Sequence, residues 1–266
     1  MAGPGRANLG AMKTRIGGRD LSYAMVGEGR AVILVHAFPL DGRMWQDTAK
    51  GLSPKCRVIA PDLRGFGESA LGDGKHSIAD MADDLAALMY NLGIAKATVG
   101  GLSMGGYVSL AFAARHRDRL EGLILADTRA AADSDAVRAG RADALALVEK
   151  QGVEAFVERQ LAALLSPSAS EVVRHRVRAL GRQGAEGVCA GIRALRDRPD
   201  RFAELSSITC PTLVIVGTED KISPLTEMAE MAHAIAGSRL TEIGGAGHLS
   251  NLEKPSEFVA AVANFI

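Results

Sequence analysis

The serine at position 103 lies in a setting typical of a catalytic nucleophile. It is the centre of the run GLSMG at 101–105, a G-x-S-x-G pattern. Apolar residues at 95–99 predict a buried strand before the pattern, and the nearly all-apolar stretch after it predicts a buried helix. A strand that turns sharply into a helix needs small residues at the turn and leaves the central residue clear of the sheet. Ser103 is therefore a candidate nucleophile, although the pattern alone also fits a simple glycine-rich turn.

A serine hydroxyl is a weak nucleophile unless a base, an orienting acid and N–H donors assist it. The chain has six histidines, and His248 ends the glycine-rich run GGAGH at 244–248. Such a loop lets an imidazole reach across to a serine, so His248 is the candidate base. His36 also follows a predicted strand. The other four lie among charged residues on predicted helices or their edges and are interpreted as surface residues: His76, His116, His175 and His233.

The orienting acid is expected on the loop GTED at 217–220, after the apolar run PTLVIVG at 211–217. Glu219 and Asp220 both lie on this loop, and spacing alone does not separate them. Either choice gives the chain order serine, acid, histidine, which is the order expected when a nucleophile elbow precedes an acid after a late strand.

Two further aspartates follow predicted strands, at positions 62 and 127. Both are interpreted as structural alternatives to the acid on the 217–220 loop. Asp62 lies two residues before Arg64, and this spacing predicts an ion pair that braces the neighbouring loops.

The elements that must position these residues alternate between strands and helices. The run AVILVH at 31–36 is typical of a parallel strand buried on both faces. Residues 77–92 predict an amphipathic helix capped by Ser77 and Asp80. This rhythm predicts an open, mostly parallel eight-stranded sheet with helices on both faces. Its strands are expected in a hairpin at 13–26 and at 31–36, 57–60, 95–99, 120–126, 211–217 and 239–243.

Composition and charge narrow the function classes. The 266 residues are 47% hydrophobic, and 31 Lys and Arg balance 31 Asp and Glu, so neither nucleic acid nor a membrane is expected as a partner. No apolar run approaches the roughly 20 residues that span a bilayer, and the glycine-rich first ten residues, expected to fray, lack an apolar signal core. We therefore expect a cytoplasmic protein. The three cysteines, Cys56, Cys189 and Cys210, favour free thiols over a disulfide framework or a zinc site.

The alternation of strands and helices is interrupted between 131 and 205. There, Ala, Arg and Glu dominate and the periodicity of apolar residues is helical. We interpret 131–205 as a helical cap inserted into a core formed by 1–130 and 206–266. A cap over Ser103 would set substrate choice. Arg129, at the start of this insertion, is a candidate for binding a substrate carboxylate. The favoured alternative is a surface ion pair with Asp133 or Asp135.

The chain resembles the α/β-hydrolase superfamily from residue 19 to 266, and within it the esterase and 3-oxoadipate enol-lactonase group. Five runs carry this resemblance in order: HAFPLD at 36–41, D-x-R-G-x-G-x-S at 62–69, GLSMGG at 101–106, G-x-x-D at 217–220 and G-x-G-H at 245–248. The resemblance implies that Asp220 is the acid, because it ends the family's G-x-x-D pattern. It also implies that the N–H groups of Phe38 and Met104 form the oxyanion hole. Ala37 departs from the family's usual glycine, and because alanine resists positive φ we expect the Phe38 loop to lie slightly differently.

The resemblance further implies a serine hydrolase that cleaves a small carboxylic ester or lactone through an acyl-enzyme, with no metal or organic cofactor. A dehalogenase is disfavoured because position 103 is a serine and not a carboxylate. Two alternatives stay open. One is a cofactor-free haloperoxidase or perhydrolase activity. The other is a small-molecule receptor or signalling protein that keeps the triad but turns over slowly. The oligomeric state is not predicted.

Overall fold

The computed structural model describes residues 10–74 and 76–266, so positions 1–9, most of the stretch predicted to fray, lie outside the described residues. Its sheet has the strand order β1-β2-β4-β3-β5-β6-β7-β8, with β1 and β2 antiparallel and β3 to β8 mutually parallel. The predicted eight-stranded, mostly parallel sheet is confirmed. The strands are β1 (Ala11–Ile16), β2 (Arg19–Val26), β3 (Ala31–Val35), β4 (Arg57–Pro61), β5 (Ala97–Leu102), β6 (Leu120–Ala126), β7 (Thr212–Gly217) and β8 (Arg239–Ile243).

Helices cover both faces of this sheet. They are α1 (Gln46–Leu52), α2 (Ile78–Asn91), α3 (Met104–Arg115), α4 (Asp135–Leu164), α5 (Glu171–Leu180), α6 (Ala185–Arg196), α7 (Leu225–Ala234), α8 (Ser250–Glu253) and α9 (Pro255–Ala263). Short 3-10 helices lie at Gly42–Trp45, Arg117–Arg119 and Phe202–Ser207. Ser77 and Asp80 form the predicted capping box before α2.

Strand β3 shows why the central strands are apolar throughout. All five of its residues are buried. Ile33 and Val35 belong to the apolar cluster that contains α2 and α3, whereas Val32 and Leu34 belong to the cluster that contains α1 and α9. Successive side chains of a strand point to opposite faces, so a strand covered on both faces needs an apolar residue at every position.

The loop after β4 differs from the sequence prediction in its polar contacts. The carboxylate of Asp62 accepts the N–H groups of Gly42 at 2.8 Å and Glu68 at 3.0 Å. Arg64 instead pairs with Asp84 of α2, with Nε 2.8 Å from Oδ2. The predicted Asp62–Arg64 ion pair is therefore replaced by separate partners, because α2 packs beneath the loop and presents Asp84 to the guanidinium.

The segment between β6 and β7 is helical, as its periodicity predicts. It contains α4, α5, α6 and the 3-10 helix at Phe202–Ser207, and we call these elements the cap. The limits of 131 and 205 for a separate cap stay a prediction. Within α4, Gly152 has φ 84° and ψ 172°, so the long helix is broken there. In the described ranges, no helix combines the length and apolarity that crossing a membrane requires.

Candidate active site

Ser103 occupies a sharp turn between β5 and α3. Its backbone has φ 56° and ψ −113°, a strained conformation for a residue other than glycine. The two flanking glycines make this turn possible. A Cβ at Gly101 would lie 2.4 Å from the carbonyl carbon of Gly105, and a Cβ at Gly105 would lie 2.0 Å from the oxygen of Val35. Neither position can hold a side chain, so the spacing of the G-x-S-x-G pattern follows from packing.

The turn is tied to the end of β6 through the backbone of Ser103. The Ser103 N–H donates to the Ala126 oxygen at 3.0 Å. The Thr128 hydroxyl donates to the Ser103 oxygen at 2.7 Å. These contacts hold the serine between two parallel strands and leave its side chain partly exposed.

His248 and Asp220 are joined by a hydrogen bond, with Nδ1 2.9 Å from Oδ2, and both side chains are buried. An ionised carboxylate only accepts hydrogen bonds, so Nδ1 is the nitrogen that donates to Asp220, and in the neutral imidazole the lone pair is then on Nε2. The other carboxylate oxygen of Asp220 accepts the N–H groups of Ile222 at 2.8 Å and Ser223 at 3.0 Å. Glu219, the alternative left open by spacing, is exposed.

The loops that carry the acid and the histidine approach each other through glycine. A Cβ at Gly217 would lie 2.3 Å from the oxygen of Gly247. Two residues after Gly217, the N–H of Glu219 donates to the Ala246 oxygen at 2.8 Å. The two backbones could not come this close with a side chain between them. Gly217 of G-x-x-D therefore permits this contact, whereas a Cβ at Gly247 of G-x-G-H would lie 2.5 Å from the nitrogen of Ser166.

Asp127 forms hydrogen bonds with residues next to both the acid loop and the histidine loop. Its Oδ1 accepts the Gly217 N–H at 2.8 Å, and the Ser250 hydroxyl donates to its Oδ2. It is fully buried and has φ 44°. Burial, followed by the negative charge of Asp220, raises the pKa of Asp127 well above its ordinary value of 3.8. The sequence placed Asp127 at a strand end, but its contacts with both loops appear only in the tertiary structure.

The contacts of His36, the other histidine at a strand end, indicate a structural role. Its Nδ1 lies 2.9 Å from the Ala37 oxygen, and its Nε2 accepts the Leu63 N–H at 2.9 Å. Complete burial lowers the pKa of His36. A neutral ring with one donor and one acceptor fits both contacts. His36 thus fastens the loop that contains Phe38 to the loop after β4.

Ser103 and His248 line one cavity of about 300 Å³ between the core and the cap. Phe38 lies in its wall, and Met104 begins α3 directly after Ser103. Within the described residues, the N–H groups of Phe38 and Met104 donate to no protein acceptor. An N–H in the first turn of a helix has no partner inside that helix and is suited to a negative charge. The cap wall includes Arg141, Phe156 and Gln160 of α4 and Leu195 of α6.

A larger cavity of about 480 Å³ lies at the other end of the strands. Its walls include Leu120, at the start of β6, and Cys210 and Pro211, just before β7. Ligands of open α/β sheets bind beyond the carboxyl ends of the strands, where Ser103 and His248 lie. We therefore assign the candidate active site to the smaller cavity.

Arg129 lies outside the set of residues that line the Ser103 cavity. Its Nε is 3.1 Å from an oxygen of Glu227 in α7, and its Nη2 donates to the Ile222 oxygen. The predicted partners, Asp133 and Asp135, are replaced by Glu227 because α7 packs closer to the guanidinium. In positions 10–74 and 76–266, His, Cys, Asp and Glu form no group of three or more placed to hold a metal ion.

Comparison with known proteins identifies the family of the chain. The chain is 40% identical to a malate-bound thermophilic esterase from Thermogutta terrifontis, with 96% and 97% of the two chains covered and a TM-score of 0.91. It is 32% identical to the enol-lactonase from Burkholderia xenovorans LB400, with 96% and 99% covered and a TM-score of 0.89. It is also 30% identical to 3-oxoadipate enol-lactonase 2 from Acinetobacter baylyi over 91% of each chain. The family model for the alpha/beta hydrolase fold matches residues 30–255, and the chain belongs to this family.

Proposed function

We propose that this protein is a serine hydrolase that cleaves small carboxylic esters or lactones through an acyl-enzyme. The observation that carries the proposal is that His248, paired with Asp220 at 2.9 Å, lines the same cavity as the strained Ser103. The similarity to an esterase and to enol-lactonases supports the same class of substrate. The stepwise chemistry follows from the roles that these three side chains can take.

In the first step, Ser103 Oγ attacks the carbonyl carbon of the substrate while His248 Nε2 takes the hydroxyl proton. Asp220 stabilises the imidazolium that forms and keeps the ring oriented through Nδ1. The N–H groups of Phe38 and Met104 would donate to the oxygen that becomes negatively charged. The bond to the leaving oxygen then breaks, and His248 returns its proton to that oxygen.

In the second step, His248 takes a proton from water, and the resulting hydroxide attacks the acyl-enzyme carbon. The same two N–H groups would stabilise the second oxyanion. The carbon–Oγ bond then breaks, the acid product leaves, and the proton returns to Ser103. A lactone would open by the same route, with its ring oxygen as the leaving group.

The test is a Ser103→Ala variant assayed on 4-nitrophenyl acetate and on a small lactone. We expect kcat to fall by roughly six decades, because members of such a triad act as a unit. Ser109→Ala is the matched control, since this buried serine of α3 donates only to the Gly105 oxygen, at 2.8 Å. Full activity of Ser103→Ala would contradict the proposal. Barely measurable turnover by the unmodified protein, combined with tight ligand binding, would favour the receptor alternative.

A further inference from the structure

The cavity of about 480 Å³ at the other end of the strands has no part in the proposed reaction. Among the described residues, it shares no lining residue with the Ser103 cavity. It lies where the end of α3, the start of β6, the 3-10 helix at Phe202–Ser207 and the segment before β7 meet. Cavities that hold small molecules in proteins have volumes of about 300–1,000 Å³. This space is therefore large enough for a small ligand.

The floor of this cavity is apolar. Its buried lining residues are Leu110 and Ala113 of α3, Leu120 of β6 and Leu205 of the 3-10 helix. In α3, Ala113 and Ala114 are adjacent, and their methyl groups leave space that larger side chains would fill. Contact with this floor would remove the apolar part of a ligand from water, which is favourable in proportion to the area buried.

The charged groups around this floor leave an excess of positive charge. Five charged residues line the cavity: Lys96, Arg117, Glu121, Arg201 and Glu204. Arg201 and Glu204 pair with each other, with Nη1 2.5 Å from Oε2. Within positions 10–74 and 76–266, the other three form no ion pair. Two cations against one carboxylate leave one net positive charge, which matches a ligand with a single negative charge.

Arg117 is oriented for such a ligand. Its Nη2 donates to the Ser207 hydroxyl at 3.1 Å, and its Nε and Nη1 make no hydrogen bond to any described residue. A guanidinium presents its N–H groups in a fixed fork that fits the two oxygens of a carboxylate. A second negative charge on the ligand would be opposed by Glu121, which lines the same cavity.

We propose that this cavity binds a small amphipathic monocarboxylic acid, with its carboxylate at Lys96 and Arg117 and its apolar chain on the floor formed by α3, β6 and the 3-10 helix. The protein would then have a second ligand site, at the end of α3 opposite to Ser103. The inference does not rest on the proposed function, because it uses none of the residues that line the Ser103 cavity.

Cys210 provides a reporter for occupancy of this cavity. It lines the cavity and is half-buried, whereas Cys56 and Cys189 are buried. Burial raises the pKa of the Cys210 thiol, so its alkylation by N-ethylmaleimide should be slow enough to follow by peptide mass spectrometry. Octanoate is the probe, and we expect it to slow alkylation of Cys210 with half-maximal protection at about 1 mM. No protection at ten times that concentration would overturn the site.

Two further probes test the two parts of the ligand separately. Octylammonium has the same chain and the opposite charge, and acetate has the carboxylate without the chain. Both should protect Cys210 less than octanoate does at equal concentration. Equal protection by octylammonium would overturn the role of the two cations, and equal protection by acetate would overturn the role of the apolar floor.

The double variant Lys96→Met/Arg117→Met tests the location of the carboxylate. We expect the octanoate concentration for half-maximal protection to rise about 3- to 10-fold, the effect of losing two exposed ion pairs. Lys50→Met is the matched control, because Lys50 is an exposed lysine of α1 outside the cavity lining, and its value should not change. An unchanged value in the double variant would overturn the proposal. Loss of hydrolysis in Ser103→Ala should leave the protection of Cys210 intact.

Discussion

The helix that follows Ser103 and the longest helix of the cap are packed in different ways. In α3, ten of the twelve residues are buried, so nearly every side chain is constrained by neighbours. In α4, only seven of the thirty residues are buried, so one face is packed and the rest is open to solvent or to the cavity. The core helix therefore supports a single geometry for Ser103. The cap helix can present different residues to the substrate without disturbing that geometry.

The contacts that join the loops of the core also differ from those that attach the cap. The acid and histidine loops meet through backbone atoms at Gly217 and Gly247. The cap is fastened partly through polar side chains, such as Gln183 Nε2 to Asp41 Oδ2 at 2.7 Å. Backbone contacts without intervening side chains leave little room for adjustment. We therefore expect substitutions in the core loops to impair the reaction, and those in the cap to act on stability or substrate choice.

The largest effect is expected from Gly217→Ala in the core. The new methyl group would force the acid and histidine loops apart, because its ideal position lies 2.3 Å from the Gly247 oxygen. We expect kcat to fall about 100-fold, as for a displacement of about 1 Å at catalytic groups. The free energy of unfolding should fall by about 1–3 kcal/mol. Ester hydrolysis and thermal unfolding measure the two effects.

Gly244→Ala is the matched control for Gly217→Ala. A Cβ at Gly244 would meet no atom within 4 Å, so both activity and Tm should be unchanged. Wild-type kcat in Gly217→Ala would show that the contact between the two loops does not position the proposed triad. It would also remove the distinction drawn between the core loops and the cap.

An intermediate effect, with a characteristic pH dependence, is expected from Asp127→Asn. Since the pKa of Asp127 is raised above 3.8 in the folded protein, the folded state holds a proton that the unfolded state releases as pH rises. This carboxyl therefore contributes stability at low pH that is lost as pH rises from about 4 towards its folded pKa. An amide does not titrate, so the Tm of Asp127→Asn minus that of wild type should increase with pH over this window.

The control for this measurement is Asp197→Asn. The carboxyl of Asp197 is exposed and pairs with Arg196, which lowers the pKa of Asp197. The Tm of Asp197→Asn minus that of wild type should therefore not change with pH above about pH 5. Parallel Tm curves for Asp127→Asn and wild type between pH 4 and 8 would contradict the raised pKa. They would also remove the electrostatic link between Asp127 and Asp220.

The smallest effects are expected in the cap, from two glycines of α4. Gly152 has φ 84°, so Gly152→Ala should destabilise the fold by about 1 kcal/mol through backbone strain. Gly140 lies in regular helix, and a Cβ there would meet nothing within 4 Å, so Gly140→Ala should stabilise by about 0.5–1 kcal/mol. Thermal unfolding of both variants measures these changes in stability, which should have opposite signs. Equal shifts would show that the break at Gly152 does not determine the helix geometry.

Much of the fold could be predicted from local patterns. The run at 120–126 matches β6 at Leu120–Ala126, and the capping pair at Ser77 and Asp80 marks the start of α2. Such features depend on residues within a few positions of each other, where periodicity and backbone hydrogen bonding act directly. By contrast, the sequence predicts ion-pair partners for Arg64 and Arg129 only a few residues away along the chain. The structure instead gives them Asp84 and Glu227, which are distant along the chain.

The sequence by itself determined the alternation of strands and helices and the turn that contains Ser103, because apolar periodicity and the absence of side chains at Gly101 and Gly105 constrain the backbone locally. Spacing left Glu219 and Asp220 both open, the family pattern favoured Asp220, and the tertiary structure shows Asp220 in contact with His248. Only the tertiary structure decided that Arg141 rather than Arg129 faces the cavity. Those outcomes depend on how loops and helices far apart in the chain pack together. Long side chains such as those of arginine reach several possible partners, and burial selects among them.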